Sequence, residues 1–347
     1  MQQLPDAGES PIASGDAQAA RTPSFVVAAP TRVGRAKVGK NLGDALRRLG
    51  HRVTFFDYDS EPLRYRVWPR GLRPRDWRQR CLDHVNARVL DVVRAARPDV
   101  FLCVKGVQLR PETIRAIGRL GATTVGYWID DPLDHPRSLV NAPSYDRYFT
   151  NDAASVERYR SEGITRIGHL PSAADPEVFF PLPDARGAVD VAFVGTHSAG
   201  RESVVVGLQE FDTHVFGSGA WRASPIDRSR VHPGAFGPRT NEVYNRARIN
   251  LNVHRWFGQG SAMNLRLFEV PAARGFLLTD WVEEIDGAYR PDEQVVCWRT
   301  TSELRAKVAY YLAHEDERRE IAARGYEHFL RHHTYAVRAR GLLDDLA

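Results

Sequence analysis

Arg266 and Glu269 stand three residues apart in Asn264-Leu-Arg266-Leu-Phe-Glu269-Val-Pro-Ala-Ala-Arg-Gly275-Phe-Leu-Leu-Thr-Asp280, an otherwise apolar stretch that closes at a glycine and restarts as a strand. On a helix that spacing puts both side chains on one face. A guanidinium can fork onto phosphate oxygens while a carboxylate accepts from two neighbouring hydroxyls, so the pair suits the diphosphate and the ribose of a nucleotide. Asn264 fits an N-cap, which would set both residues near a helix N-terminus whose free amides and dipole attract anions. An Arg/Glu pair on a solvated face is the plainer reading of the same spacing. Pro271 would remove a bond inside such a helix, so the helix either kinks there or begins after Asn264.

Other residues of chemical interest follow strand-like runs. Gly195, Thr196, His197, Gly200 and Arg201 come directly after the run 189–194 and could cradle a phosphate at a helix start. Their spacing is neither the dinucleotide fingerprint nor the P-loop, and an ordinary turn reads equally well. Asn252 and His254 share one face of a strand, where a ligand at the strand end is one way to satisfy buried polar groups. Gly34, Arg35, Lys37, Gly39 and Lys40 form a basic, glycine-bearing loop suited to close approach by a ligand or, as readily, to solvent. Lys105-Gly106 ends another run. Asp130-Asp131-Pro132 ends a further one, where paired carboxylates could supply a general base or where Asp before Pro simply makes a turn.

The elements that must position these residues alternate as in an open parallel sheet. Runs at 24–29, 52–56, 100–104, 123–129, 148–150 and 166–170 read as buried strands, with helices at 41–50 and 111–120 between them. Pro176, Pro181 and Pro183 break the periodicity between 173 and 190 and mark a boundary. A second alternation has strands at 189–194, 213–217, 249–253 and 276–279, and from Ser302 the chain is helical with Leu304, Val308 and Leu312 in one stripe. The expected organisation is a tail at 1–22, a first Rossmann-like domain at 23–178, a linker at 179–188, a second domain at 189–330, and a C-terminal helix at 331–347 packing back on the first. The stretch 59–79, with Trp68, Pro69, Pro74 and Trp77, reads as an irregular aromatic insertion.

Composition narrows the classes. At 347 residues with 43% hydrophobic and 26% charged content the chain suits two soluble globular domains, and no apolar run reaches the length of a membrane span. The first 22 residues lack a basic segment followed by an apolar one, so a disordered tail and a cytoplasmic location are expected. Cys81, Cys103 and Cys297 are odd in number and far apart, which excludes a disulfide framework and argues against zinc. The net charge of +5 suits an acidic small molecule without demanding nucleic acid.

Taken together, the stretch 264–280, the Gly195 loop with Arg201, the Asp130-Asp131-Pro132 turn and the tail from Glu303 to Tyr335 resemble the CgeB-like glycosyltransferases over nearly all the chain after Phe25. The most specific part is Arg266-x-Phe268-Glu269-x-Pro271-Ala272-x-x-Gly275, a pattern in which the proline is usual. The resemblance implies the GT-B fold: α/β, two facing Rossmann-like doubly wound parallel sheets with a helical C-terminal tail. It implies a nucleotide-sugar donor in the C-terminal domain, an acceptor hydroxyl or amine against the N-terminal one, and neither an obligatory metal nor a further cofactor. In that frame Glu269 matches the second glutamate of the E-x7-E motif, which binds the donor ribose, and Arg201 matches the basic residue that meets the diphosphate. The first glutamate of that motif falls at Ser261, where Asn264 and Arg266 are the candidates to substitute for it. Gly195, Thr196, His197, Asn252 and His254 complete the expected donor set, Asp130 and Asp131 become the catalytic, acceptor-side candidates, and Gly34, Lys40 and Lys105 an acceptor or phosphate loop. A nucleotide-sugar epimerase of the same fold and a non-catalytic binding or coat-assembly protein are the alternatives.

Overall fold

The computed structural model describes residues 22–31, 37–60, 75–183, 188–254 and 262–347. Two six-stranded sheets, parallel throughout, account for the architecture. The first has the order β2-β1-β3-β4-β5-β6, from β1 (Phe25–Ala28), β2 (Val53–Phe56), β3 (Val100–Val104), β4 (Thr123–Trp128), β5 (Arg147–Thr150) and β6 (Ile167–His169). The second has the order β12-β11-β10-β7-β8-β9, from β7 (Val189–Gly195), β8 (Thr213–Gly217), β9 (Val231–Pro233), β10 (Ala247–Asn252), β11 (Leu277–Asp280) and β12 (Val296–Trp298). Helices cover both faces of each sheet, which is why β1 and β3 are buried along their whole length and read as continuous apolar runs.

In the first half the helices are α1 (Val38–Arg48), α2 (Trp77–Ala96), α3 (Pro111–Arg119), α4 (His135–Leu139) and α5 (Ala153–Ser161). Helix α1 lies very close to the sheet: a β-carbon on Gly39 would come within 2.3 Å of the Ala29 β-carbon. That contact gives Gly39 a packing reason rather than a ligand one. Trp77 opens a regular helix whose buried stripe is Cys81, Val85, Val89 and Val93, so the end of the supposed irregular insertion is structured; residues 61–74, including Trp68, lie outside the described residues.

In the second half the helices are α6 (Ala199–Val206), α7 (Pro238–Arg246), α8 (Arg266–Ala272), α9 (Glu284–Ala288), α10 (Thr301–Ala313), α11 (Glu315–His332) and α12 (Tyr335–Leu346). The chain crosses between the sheets near Ala174 and crosses back near Thr334, and these two points form a β-bridge. Ala174 N–H donates to the His333 carbonyl at 3.2 Å and Tyr335 N–H to the Ala174 carbonyl at 3.3 Å. Arg338 locks the junction, its guanidinium donating to the carbonyls of Pro171, Ser172 and His332. Beyond it α12 returns to the first sheet, where Tyr335, Ala339 and Leu342 join Leu42 and Leu46 in the core. Burying Leu342 alone is worth about 1.5–3 kcal/mol.

Candidate active site

The carboxyl ends of the two sheets face each other across a cleft of about 1150 Å³. This is where ligands collect in open parallel sheets. Asp130, Asp131 and Asn151 line it from the first half, and Gly195, Thr196, Arg201, His254, Asn264, Arg266 and Glu269 from the second. Most of the residues singled out in the sequence therefore meet in one place.

Helix α8 explains how. It starts at Arg266, with Leu265 as cap in place of Asn264, because Leu265 is already helical at φ −57°, ψ −30°. Asn264 instead accepts the Arg266 amide at 3.1 Å through its Oδ1, closing a local turn. The amides of Leu267, Phe268 and Glu269 go to the carbonyls of Asn264 and Leu265, so the expectation of free amides at this helix start is corrected. The positive group is the guanidinium. Pro271 lies inside α8, and the Leu267 carbonyl it cannot bond accepts from Tyr289 Oη at 2.8 Å. The proline is tolerated because a side chain replaces the missing donor.

Arg266 is held from two directions, donating to the Val194 carbonyl at the end of β7 and at 2.8 Å to Asn252 Oδ1 at the end of β10. Asn252 is fully buried; its Oδ1 also accepts from Asn264 at 2.9 Å, and its Nδ2 donates to Thr279 Oγ1 at 2.9 Å. Asn252 thus positions Arg266 and Asn264, with both lone pairs of its Oδ1 taken by protein contacts. Glu269 accepts from Tyr244 Oη at 3.2 Å. Burial pushes its carboxyl up to about 7, against the opposing pull of Arg266 and Tyr244.

Gly195 makes room for this arrangement, since a β-carbon there would fall 2.5 Å from Arg266 Nη2 and 2.9 Å from the Phe193 ring. We expect Gly195→Ala to displace Arg266 and to weaken binding of a nucleoside diphosphate, measured by calorimetry, by about tenfold, one well-placed hydrogen bond to a charged group being worth about 1.5–3 kcal/mol. An unchanged affinity would contradict that geometry.

Arg201 is almost entirely buried. Its Nε donates to the Val253 carbonyl at 3.0 Å and its Nη1 to the carbonyl and hydroxyl of Thr196 at 3.1 and 2.9 Å, clasping the loops after β7 and β10. His197 pairs with Glu202 at 2.5 Å and packs edge-on against Trp221, and it does not line the cleft. His254 does. Its backbone N–H donates to both oxygens of Asp280 at 3.0 Å and its Nδ1 to Oδ1 at 2.7 Å, while Nε2 is buried and has no hydrogen-bond partner among the described residues. With Nδ1 turned to Asp280, Nε2 is the ring atom left for a ligand.

Across the cleft the two aspartates differ. Asp130 is one-third exposed and pairs with Lys105, which ends β3 in the left-handed region at φ 70°. Asp131 has no exposed side-chain surface and accepts from Thr150 Oγ1 at 2.6 Å, Tyr159 Oη at 2.9 Å and His135 Nδ1 at 3.1 Å. Burial pushes its carboxyl up and these three donors pull it back. Asp131 is therefore built into the wall, and Asp130 is the carboxylate presented to the cleft. Lys40 forms an ion pair with Asp44 along α1 and stays off the cleft, whereas Lys37 and Asn41 line it. Gly34 and Ser261 lie outside the described residues.

Sequence reasoning missed Asp280, Asn151, Tyr244 and the wall of Phe216, His232 and Phe236, where the His232 ring stacks on Phe216 at 4.6 Å. Asp280 closes the stretch 264–280, and it is the pairing of Asn252 with Thr279 in neighbouring strands that brings it against His254.

The fold is GT-B. Residues 201–344 match a family model described as glycosyl transferase-like. No curated protein matches the chain. Among solved structures it is similar to sucrose-phosphate synthase from Thermosynechococcus elongatus, with TM-score 0.67 and 13% identity, covering 93% of this chain and 98% of that one. It is also similar to Anabaena HepE in complex with UDP-glucose, with TM-score 0.61, 9% identity and coverage of 93% and 99%. A third is AviGT4, a glycosyltransferase involved in avilamycin A biosynthesis, with TM-score 0.58, 15% identity and coverage of 93% and 97%.

Proposed function

We propose that the protein transfers a sugar from a nucleotide diphosphate sugar, with UDP-sugars the first donors to test, to an acceptor hydroxyl or amine, as a CgeB-like glycosyltransferase that works in the cytoplasm without a metal. The observation that carries this reading is the convergence of Arg266, Glu269 and His254 on one cleft wall with Asp130 on the other. Glu269 accepts the ribose hydroxyls. Arg266 meets the diphosphate, joined by His254 when its ring is doubly protonated and Nε2 carries a proton to donate, with Arg201 holding their loops together, so that charge on the leaving group is stabilised by groups already in place. Asp130 receives the acceptor's proton, and Lys105 orients it. The HepE complexes with UDP and UDP-glucose make uracil the base to try first.

The test is a thermal-shift series with UDP, GDP, dTDP and ADP. A nucleotide at one hundred times its Kd stabilises the fold by about 2.7 kcal/mol, enough to raise Tm by several degrees. One of the four should do so for the wild type and lose most of the effect with Glu269→Ala. Equal shifts in the two proteins would remove Glu269 from the ribose site. Release of free nucleotide from the sugar donor, slow with water and faster with an added acceptor, separates transfer from epimerisation, which keeps the nucleotide on the sugar.

A further inference from the structure

One carboxylate reaches across the junction of the two halves. Glu284 opens α9 in the second half, and its side chain is 7% exposed. It accepts the amide of Ala153, the first residue of α5 in the first half, and at 3.2 Å the amide of Met263. His169 at the end of β6 lies 3.7 Å away. Helix α5 needs such a cap, because Asp152 in its own N-cap position makes no side-chain capping bond and accepts instead from Ser155.

Both ends of this contact lead to the cleft. Two residues before Ala153, Asn151 lines the cleft and accepts the Asp131 amide at 3.3 Å, next to Asp130. One residue after Met263 comes Asn264, which bonds the Arg266 amide and shares Asn252 with its guanidinium. We propose that Glu284 is a positioning residue, a strut across the junction that sets the spacing between the Asp130 wall and the Arg266 wall. The strut itself is independent of the reaction; its kinetic consequence rests on the transferase reading.

The strut is also sensitive to protons. Burial and the neighbouring Asp152 push the Glu284 carboxyl up to about 7. The titratable and charged groups around it are Asp152 from α5 and His169 from β6, with Arg338 of α12 acting on His169 and Glu283 and Asp286 beside it on α9. A carboxyl near its ordinary range when the walls separate and near 7 when they meet takes up a proton on closing. The closed arrangement is favoured below pH 7 and loses that support as pH rises through it.

Ala153→Pro tests the strut with little damage to α5. The first helical position accepts proline, and Asp152 at φ −119°, ψ 114° already has the extended backbone that precedes one. The substitution deletes only the donated N–H. With UDP-glucose as donor and water as acceptor, we expect Ala153→Pro to lower kcat about tenfold with KM changed less than about twofold, as misplacing a facing wall predicts. The wild type should lose kcat as pH rises above 7, and Glu284→Gln should remove that fall. Wild-type kcat in Ala153→Pro together with a wild-type pH profile in Glu284→Gln overturns the proposal. Small-angle scattering reads the strut without any reaction: both variants should have a larger radius of gyration than the wild type at pH 6, and unchanged radii overturn the proposal. If the wild type turns over no donor, the transferase reading fails and scattering alone decides the strut.

Discussion

Arg266→Ala is expected to lower the rate of transfer by about 10²–10³-fold, the range for removing one preorganised donor from a developing anion. The Val194 carbonyl and Asn252 Oδ1 fix the guanidinium, and the proposed diphosphate contact would use its remaining N–H groups. The cost in stability is smaller, about 1–3 kcal/mol for the acceptors left behind, and Asn252 keeps Asn264 as donor. Arg266→Lys should not rescue activity, because a single ammonium cannot span Val194 and Asn252 and also meet a phosphate. Steady-state kinetics beside calorimetric melting separates the two effects. Transfer within threefold of wild type in Arg266→Ala would exclude the diphosphate role.

The second large effect divides two neighbouring aspartates. Asp131→Ala should destabilise the protein by about 3–5 kcal/mol, since it strips the common acceptor from Thr150, Tyr159 and His135 in a buried network. At roughly 2–4 °C per kcal/mol that is a drop of about 10 °C in Tm. Asp130→Ala removes only a partly exposed ion pair with Lys105, worth about 0–1 kcal/mol, yet it should abolish transfer while leaving UDP binding intact. Transfer at the wild-type rate by Asp130→Ala would require another base. A normal melting temperature for Asp131→Ala would mean that the buried network contributes nothing.

Much of the fold was legible because parallel strands buried on both faces leave unbroken apolar runs, as in Phe25–Ala28 and Val100–Val104. The three-residue strands Val231–Pro233 and Val296–Trp298 are too short to leave such a run. Helix Trp77–Ala96 was hidden by its narrow stripe, one small apolar residue every four amid charged ones. The site was legible to the extent that its residues are close in sequence. Arg266 and Glu269 declare themselves by spacing, whereas the bond between His254 and Asp280 depends on the register of β10 against β11. The free-amide reading of the helix start failed because nothing in the residue types shows that Asn264 and Leu265 already take those amides.

The paired crossings at Ala174 and Thr334 have a mechanical meaning. A body hung on one strand of chain can tumble in every direction, but one hung on two strands bonded side by side turns most easily about the line through the bond. With the β-bridge braced by Arg338, rotation about the line through the bond is expected to be the softest motion of the two sheets against each other. Any opening of the cleft about that line would be travel along a single coordinate, which would bring the facing walls back to the same alignment.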